Sequence, residues 1–219
     1  GDSFWAMADQ LSRGFLVGAT AGRTTLTGEG LQHADGHSPL IARTNPAVVH
    51  YDPAYAFEIA HIMRDGLRRM YGDSDHGGSS FGEDVIYYLT VYNEPINQPA
   101  EPEGVDVEGI LKGAHRYAAS PIEGDAPARI LASGVSVPWA LQAQATLAEE
   151  YGVAAEVWSV TSWNELAREA EAAERWNFNH LAEEPRTPWI TTKLGEGGPT
   201  IAVSDYMRAV PDQISRWVP

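Results

Sequence analysis

Apolar residues recur at spacings of three and four from Phe4 through Met7, Ala8, Leu11 and Phe15 to Leu16, with Asp9, Gln10, Ser12 and Arg13 between them. That period predicts a first amphipathic helix, stopped by Gly18 and Gly22. "AVVHY" (Ala47–Tyr51) reads as a short strand. Asp52 and Pro53 then read as a helix start, a capping carboxylate ahead of a proline at the first helical position. Tyr55, Ile59, Ile62, Met63, Leu67 and Met70 mark one apolar face of that second helix. "DSDHGGSS" (Asp73–Ser80) predicts a surface loop. "VIYYLTVY" (Val85–Tyr92) is a near-continuous β-branched and aromatic run, the pattern of a strand buried on both faces.

The next stretch, "NEPINQPAEPEG", carries prolines 95, 99 and 102 and predicts an extended linker. It divides the chain into residues 1–93, a linker over 94–104, and residues 105–219. Beyond it, helices and strands alternate. The pattern predicts a helix over about Val107–Tyr117, a strand over Ala128–Ser133, a turn at Gly134 and a helix over about Pro138–Tyr151. It continues with a strand over Ala155–Ser162, a helix over about Trp163–Ala173, and strands over Pro188–Thr192 and Thr200–Asp205. Such alternation implies an α/β fold with right-handed crossovers and a mainly parallel sheet, whose ligands sit beyond the carboxyl ends of the strands. The first half offers only two convincing strands, too few for a covered sheet. It is therefore expected to need more chain or another subunit.

Composition narrows the classes. Hydrophobic residues make up 43% of 219 residues and charged residues 21%, enough for one large or two small globular domains. No apolar run approaches a membrane span, and the start lacks the pattern of a signal peptide. The absence of cysteine removes disulfides, thiolate metal sites and cysteine nucleophiles, and fits a cytoplasmic protein. A net charge of −15 argues against nucleic acid as a partner. It is compatible with a basic protein partner or with solubility alone.

One stretch concentrates chemistry. "GRTTLTGEGLQHADGHS" (Gly22–Ser38) holds four glycines, two histidines and two carboxylates, with neither helix nor strand period. His33, Asp35 and His37 have the residue types of a metal site, but two histidines four apart need a helix to converge, and the glycines argue for a loop. "GATAGRTT" (Gly18–Thr25) superficially resembles a phosphate loop, yet lacks the glycine–lysine–serine/threonine ending and follows a predicted helix. As a catalytic loop it would offer imidazoles for proton transfer, a carboxylate to fix a tautomer, and glycines that admit a ligand. As plain structure it would be a turn at Asp35–Gly36 with solvated histidines. The residues alone leave catalysis and turn chemistry both open. His50, His61, His76, His115 and His180 read as structural, with His115 and His180 placed on or near helices.

Four long segments carry a resemblance: Gly1–Ser38, "YDPAYAFEIAHIMRDGLRRMYG", "VTSWNELAREAEAAERWN" and "SDYMRAVPDQI". They are similar to the homodimeric, thiamine-diphosphate-dependent decarboxylating component of the pyruvate dehydrogenase complex, and the likeness covers essentially the whole chain. The family is much longer. The resemblance therefore implies three-layer α/β architecture. An incomplete transketolase-like pyrimidine-binding-type domain would occupy 1–93, and a transketolase carboxyl-terminal-like domain, lacking its final segment, 105–219. It implies decarboxylation of pyruvate and transfer of the two-carbon unit to a lipoyl group on the acyltransferase component. His33, the first histidine of the family's "LQH-x-DGHS" motif, would face the thiazolium and substrate, and His37 would support it. The family's magnesium–diphosphate motif is absent from this sequence. The chain alone is expected to bind thiamine diphosphate and Mg2+ poorly and to be inactive. Asp73–Asp84 is expected to be a surface insertion relative to the family. Two other classes stay open: a non-catalytic assembly module on the same scaffold, and a metal-dependent hydrolase at His33, Asp35 and His37.

Overall fold

The structure is a computed structural model, and it describes residues 1–19, 21–25, 29–72, 82–124 and 127–219. The expected loop at Asp73–Ser80, with His76 and most of the insertion expected over Asp73–Asp84, lies outside them. Two sheets flanked by helices form the fold.

The first sheet is fully parallel, with strand order β1-β3-β2. It contains β1 (Gly14–Gly18), β2 (Val48–Tyr51) and β3 (Ile86–Thr90). The central β3 is buried along its whole length, as its apolar run requires. Helix α1 covers only Asp2–Asp9. The helix expected to continue through Leu16 breaks at Leu11, which takes a left-handed φ of 53°. Phe15 and Leu16 then enter β1, in register with Tyr87 and Tyr88. The helical period was genuine, but a parallel partner satisfies the backbone groups of this segment and lets Phe15 pack on Tyr87, with ring centroids 5.4 Å apart. Among the described residues the first half therefore has three strands rather than two. Helix α2 (Ser38–Arg43) follows the Gly22–Ser38 loop, and helix α3 (Ala56–Tyr71) joins β2 to β3.

Helix α3 begins after Asp52, not on it. Glu58 caps its first turn, accepting the backbone N–H groups of Ala54 (2.7 Å) and Tyr55 (3.1 Å). Asp52 instead bridges the halves of the molecule: its N–H donates to the Thr161 carbonyl (2.7 Å) and its carbonyl accepts from the Gly134 N–H (3.1 Å). The buried stripe of α3 is Phe57, Glu58, Ile62, Gly66 and Met70, while Met63 and Leu67 of the expected apolar face lie on the solvent side.

Residues 91–106 contain no helix or strand. They are tied to α3 through His61 and Glu101 (3.0 Å) and through the Ala56 N–H and Gln98 (2.9 Å). Helix α4 (Val107–Lys112) is shorter than expected. Gly113 ends it with a φ of +113°, and a side chain there would come within 2.5 Å of the Ser162 carbonyl. His115 therefore lies on a strand, β4 (His115–Ala118), not on a helix.

The second sheet has order β4-β6-β5-β7. Strands β5 (Ala128–Ala132), β6 (Ala155–Ser159) and β7 (Thr200–Val203) are parallel, and β4 runs antiparallel to β6. Helix α5 (Val137–Tyr151) follows a 3-10 turn at Gly134–Ser136. Helix α6 (Trp163–Asn179) extends beyond the expected end at Ala173. Its Ser162 cap accepts the Glu165 N–H (3.0 Å). "PWITT" is not a strand. It opens helix α7 (Trp189–Leu194), started by Pro188, with Ile190 and Leu194 one turn apart and buried. The Glu169 carboxylate takes the Trp189 N–H at 2.8 Å. Among the described residues no helix is long and apolar enough to cross a membrane.

Candidate active-site loop

The described part of the Gly22–Ser38 segment, residues 22–25 and 29–38, lies between β1 and α2, at the carboxyl end of a parallel sheet where ligands collect. The preceding glycine-rich "GATAGRTT" therefore follows a strand, contrary to its expected helix, but its ending still does not match a phosphate loop. His33 and His37 are both solvent-exposed. Asp35 closes the turn that leads into α2: its Oδ1 accepts the N–H groups of His37 (3.0 Å) and Ser38 (2.9 Å), and its Oδ2 accepts the Ser38 hydroxyl. Asp35 thus braces the turn that enters α2, and among the described residues it hydrogen-bonds neither the His33 nor the His37 ring. Among the described residues no group of three or more His, Asp or Glu could hold a metal ion. The geometry thus gives no support to a metal centre at His33, Asp35 and His37.

The loop is anchored on both sides. Tyr88 of β3 donates its hydroxyl to Ser38 Oγ (3.1 Å), and Asn164 of α6 donates to the Pro39 carbonyl (2.8 Å). Arg23 and Thr24 donate backbone N–H groups to Asp205, and Met207 donates its N–H to the Gly36 carbonyl (2.9 Å).

Beneath the loop lies a buried polar cluster that periodicity did not reveal. Asp52 is inaccessible to solvent, and its Oδ1 accepts the hydroxyls of Thr90 (2.8 Å) and Tyr92 (2.6 Å). Burial pushes its pKa up to about 6, although those hydroxyls oppose the shift. His50, on β2, reaches Thr90 Oγ1 at 3.3 Å and packs against Tyr88 with the rings tilted and their centroids 5.1 Å apart. Burial depresses its pKa to about 3, so the ring is neutral at physiological pH. The available signal was positional: Asp52 directly follows the predicted strand, where a strand-to-helix turn places polar groups at the sheet's carboxyl end. A second buried cluster joins the halves. Glu58 Oε1 takes hydrogen bonds from His115 Nε2 (2.7 Å) and the Ser159 hydroxyl (2.6 Å). No sequence spacing links these three residues.

Comparison with known proteins bears on both halves. The pyruvate dehydrogenase E1 component middle domain matches residues 1–99, and the transketolase-like C-terminal domain matches residues 113–217. Pyruvate dehydrogenase E1 components of Mycolicibacterium smegmatis, Mycobacterium tuberculosis and Escherichia coli are 59%, 57% and 47% identical, each over the whole of this chain. The chain spans about a quarter of their length, 23% of the first two and 24% of the third. Among solved structures, transketolase from Campylobacter jejuni aligns with a TM-score of 0.60 at 16% identity, over 93% of this chain and 26% of that one. Transketolase from Leishmania mexicana aligns with a TM-score of 0.57 at 18% identity, over 86% and 22%. These two likenesses establish the transketolase-like fold. The chain therefore carries a pyruvate dehydrogenase E1 middle domain followed by a transketolase-like C-terminal domain, and along its whole length it is similar to a part of the pyruvate dehydrogenase E1 components.

Proposed function

We propose that the chain supplies one wall of a thiamine-diphosphate-dependent active site that decarboxylates pyruvate, with His33 as the group facing the substrate and His37 supporting it. The observation that carries this reading is the placement of His33: an exposed imidazole on an anchored loop at the carboxyl end of a parallel sheet. On this reading the magnesium–diphosphate cradle is supplied by other parts of the E1 component, in line with the absence of the family's glycine–aspartate–glycine motif from this sequence. The residues of this chain would form the wall that faces it, and turnover then requires the rest of the E1 component. Thiamine diphosphate supplies the electron sink of this chemistry when bound. His33 donates a ring N–H to the oxygen of the substrate on which charge develops, and moves a proton there.

On the same reading, residues 1–93 are the carboxyl-terminal part of a pyrimidine-binding-type middle domain, 94–104 the linker, and 105–219 the transketolase carboxyl-terminal-like domain. The two-carbon unit passes to a lipoyl group on the acyltransferase component in the cytoplasm. Middle domains pair in a homodimer. Exposed Trp5, Leu16, Val17 and Leu31 in the first half support such a protein-covered surface.

In the full-length E1 component, His33→Ala is expected to lower kcat for pyruvate decarboxylation about 10²- to 10³-fold, the loss typical of one donor to a developing oxyanion. His37→Ala is expected to lower it less. Thiamine diphosphate affinity, read by titration, should stay close to that of the parent. Normal turnover by His33→Ala would refute the assignment.

A further inference from the structure

The neck of the His33 loop is held by a segment far along the chain, Asp205–Met207. The Asp205 carboxylate, only 5% exposed, takes two consecutive backbone donors: the Arg23 N–H at 2.6 Å and the Thr24 N–H at 3.1 Å. The Arg23 side chain turns back onto the same segment, donating from Nε to the Asp205 carbonyl (3.0 Å) and from Nη2 to the Tyr206 carbonyl (2.7 Å). On the far side of the loop, the Met207 N–H donates to the Gly36 carbonyl (2.9 Å), and the Asp35 N–H closes the neck on the Gly22 carbonyl (2.9 Å). Gly22 has a φ of +76°, and a side chain there would collide with the Asp205 carboxylate and approach Tyr92 to 2.8 Å. Residues on both sides of His33 are thus bound to three consecutive residues of the C-terminal half.

We infer that Asp205 is a positioning residue: its carboxylate fixes the neck of the loop, and through it the orientation of His33. This rests on the reading of His33 given above. Charge-assisted bonds to backbone N–H groups are among the stronger neutral–ionic contacts, and removing the carboxylate leaves two donors unpaired in a part-buried site. The neck must then shift to find water. Displacement of a catalytic group by about 1 Å can cost about 10²-fold in rate. The C-terminal half, which contributes neither His33 nor His37, enters the site in this way.

The test uses the full-length E1 component. Asp205→Ala is expected to lower kcat about 10- to 100-fold while the KM for pyruvate stays within about threefold. Asp205→Asn, which keeps one acceptor, should recover part of the loss. In a His33→Ala background, Asp205→Ala should change kcat less than about twofold, because the two act as one unit. Amide hydrogen exchange at Arg23, Thr24 and Met207 should accelerate about tenfold or more, with β3 unchanged. Arg23→Ala, which leaves the carboxylate and backbone donors in place, should give the same pattern more weakly and serves if Asp205→Ala does not fold. Unchanged exchange at Arg23 and Thr24 would overturn the inference. So would an undiminished Asp205→Ala loss in the His33→Ala background, because Asp205 would then act independently of His33. If His33→Ala turned over normally, the catalytic reading would fall, and the exchange rates would still decide the tether.

Discussion

Two buried residues on one hydroxyl have opposite linkage to pH. Thr90 Oγ1 donates to Asp52 and also meets His50. Asp52 has a folded pKa of about 6, raised by burial from 3.8. The folded state therefore binds its proton more tightly than the unfolded chain. Its contribution to stability is present below about pH 3.8 and lost as pH rises through about 6, a change of about 3 kcal/mol. His50 has a folded pKa of about 3, lowered by burial from 6.5. The unfolded chain takes up its proton first, so its contribution is present above about pH 6.5 and lost as pH falls toward 3, about 5 kcal/mol in all. Between about pH 4 and 6 the two slopes oppose each other. Asp52→Asn should therefore make stability rise more steeply with pH across this window than in the parent, and His50→Gln should make it fall. Unfolding midpoints at pH 4, 5 and 6 read both, and variants that ran parallel to the parent would contradict the account. His33 and His37 were legible as candidates because glycines and ionisable groups crowd one aperiodic stretch. Asp52 has the local grammar of a helix cap, a carboxylate before proline, and its burial is not a local property.

At the scale of elements, the first turn of α3 doubles as a latch between the sheets. Glu58 accepts from the Ala54 and Tyr55 backbone, from His115 on β4 and from Ser159 on β6. Glu58→Ala would leave all of these donors unpaired in a site with no solvent access. It should cost about 3–5 kcal/mol, the range for breaking a buried ionic network from one side. Ser159→Ala removes one donor and should cost about 1 kcal/mol. Chemical denaturation of the variants checks the ratio, and equal losses would mean that Glu58 is not the hub. Strands β2, β3, β5, β6 and β7 are legible from their β-branched and apolar runs, and α5 and α6 from the alternating pattern of the second half. Three assignments failed for one kind of reason. Phe15–Leu16 continued a helical period but found a parallel partner in β3. "ITT" has the composition of a strand, but Pro188 and the Glu169 carboxylate start a helix there. Val107–Tyr117 read as one helix until Gly113 broke it and His115–Ala118 paired with β6. Local propensity is weak beside a tertiary partner.

Across the whole molecule, Arg168 of α6 shows how the halves are held. Its guanidinium donates to the Val48 carbonyl (2.7 Å) and to the Arg43 and Asn45 carbonyls (3.0 Å each), while Glu165 balances its charge at 2.9 Å. The fork reads three backbone acceptors at the end of α2 and the start of β2. Arg168→Lys keeps the charge but not the fan of donors, so it should rescue little of the loss in Arg168→Met. In the full-length protein, limited proteolysis within 94–104 should be faster in both variants than in the parent. Cleavage at the parental rate would show that the clamp is dispensable. The sequence by itself determined the alternation of strands and helices, the proline-rich stretch between the sheets and the aperiodic loop that carries His33, because period, turn chemistry and composition are properties of neighbours along the chain. Only the tertiary structure decided that Asp205 holds the neck of that loop, that Glu58 meets His115 and Ser159, and that Asp52 is buried. Those contacts join residues far apart in sequence, and burial and hydrogen-bond partners exist only once the two sheets have packed.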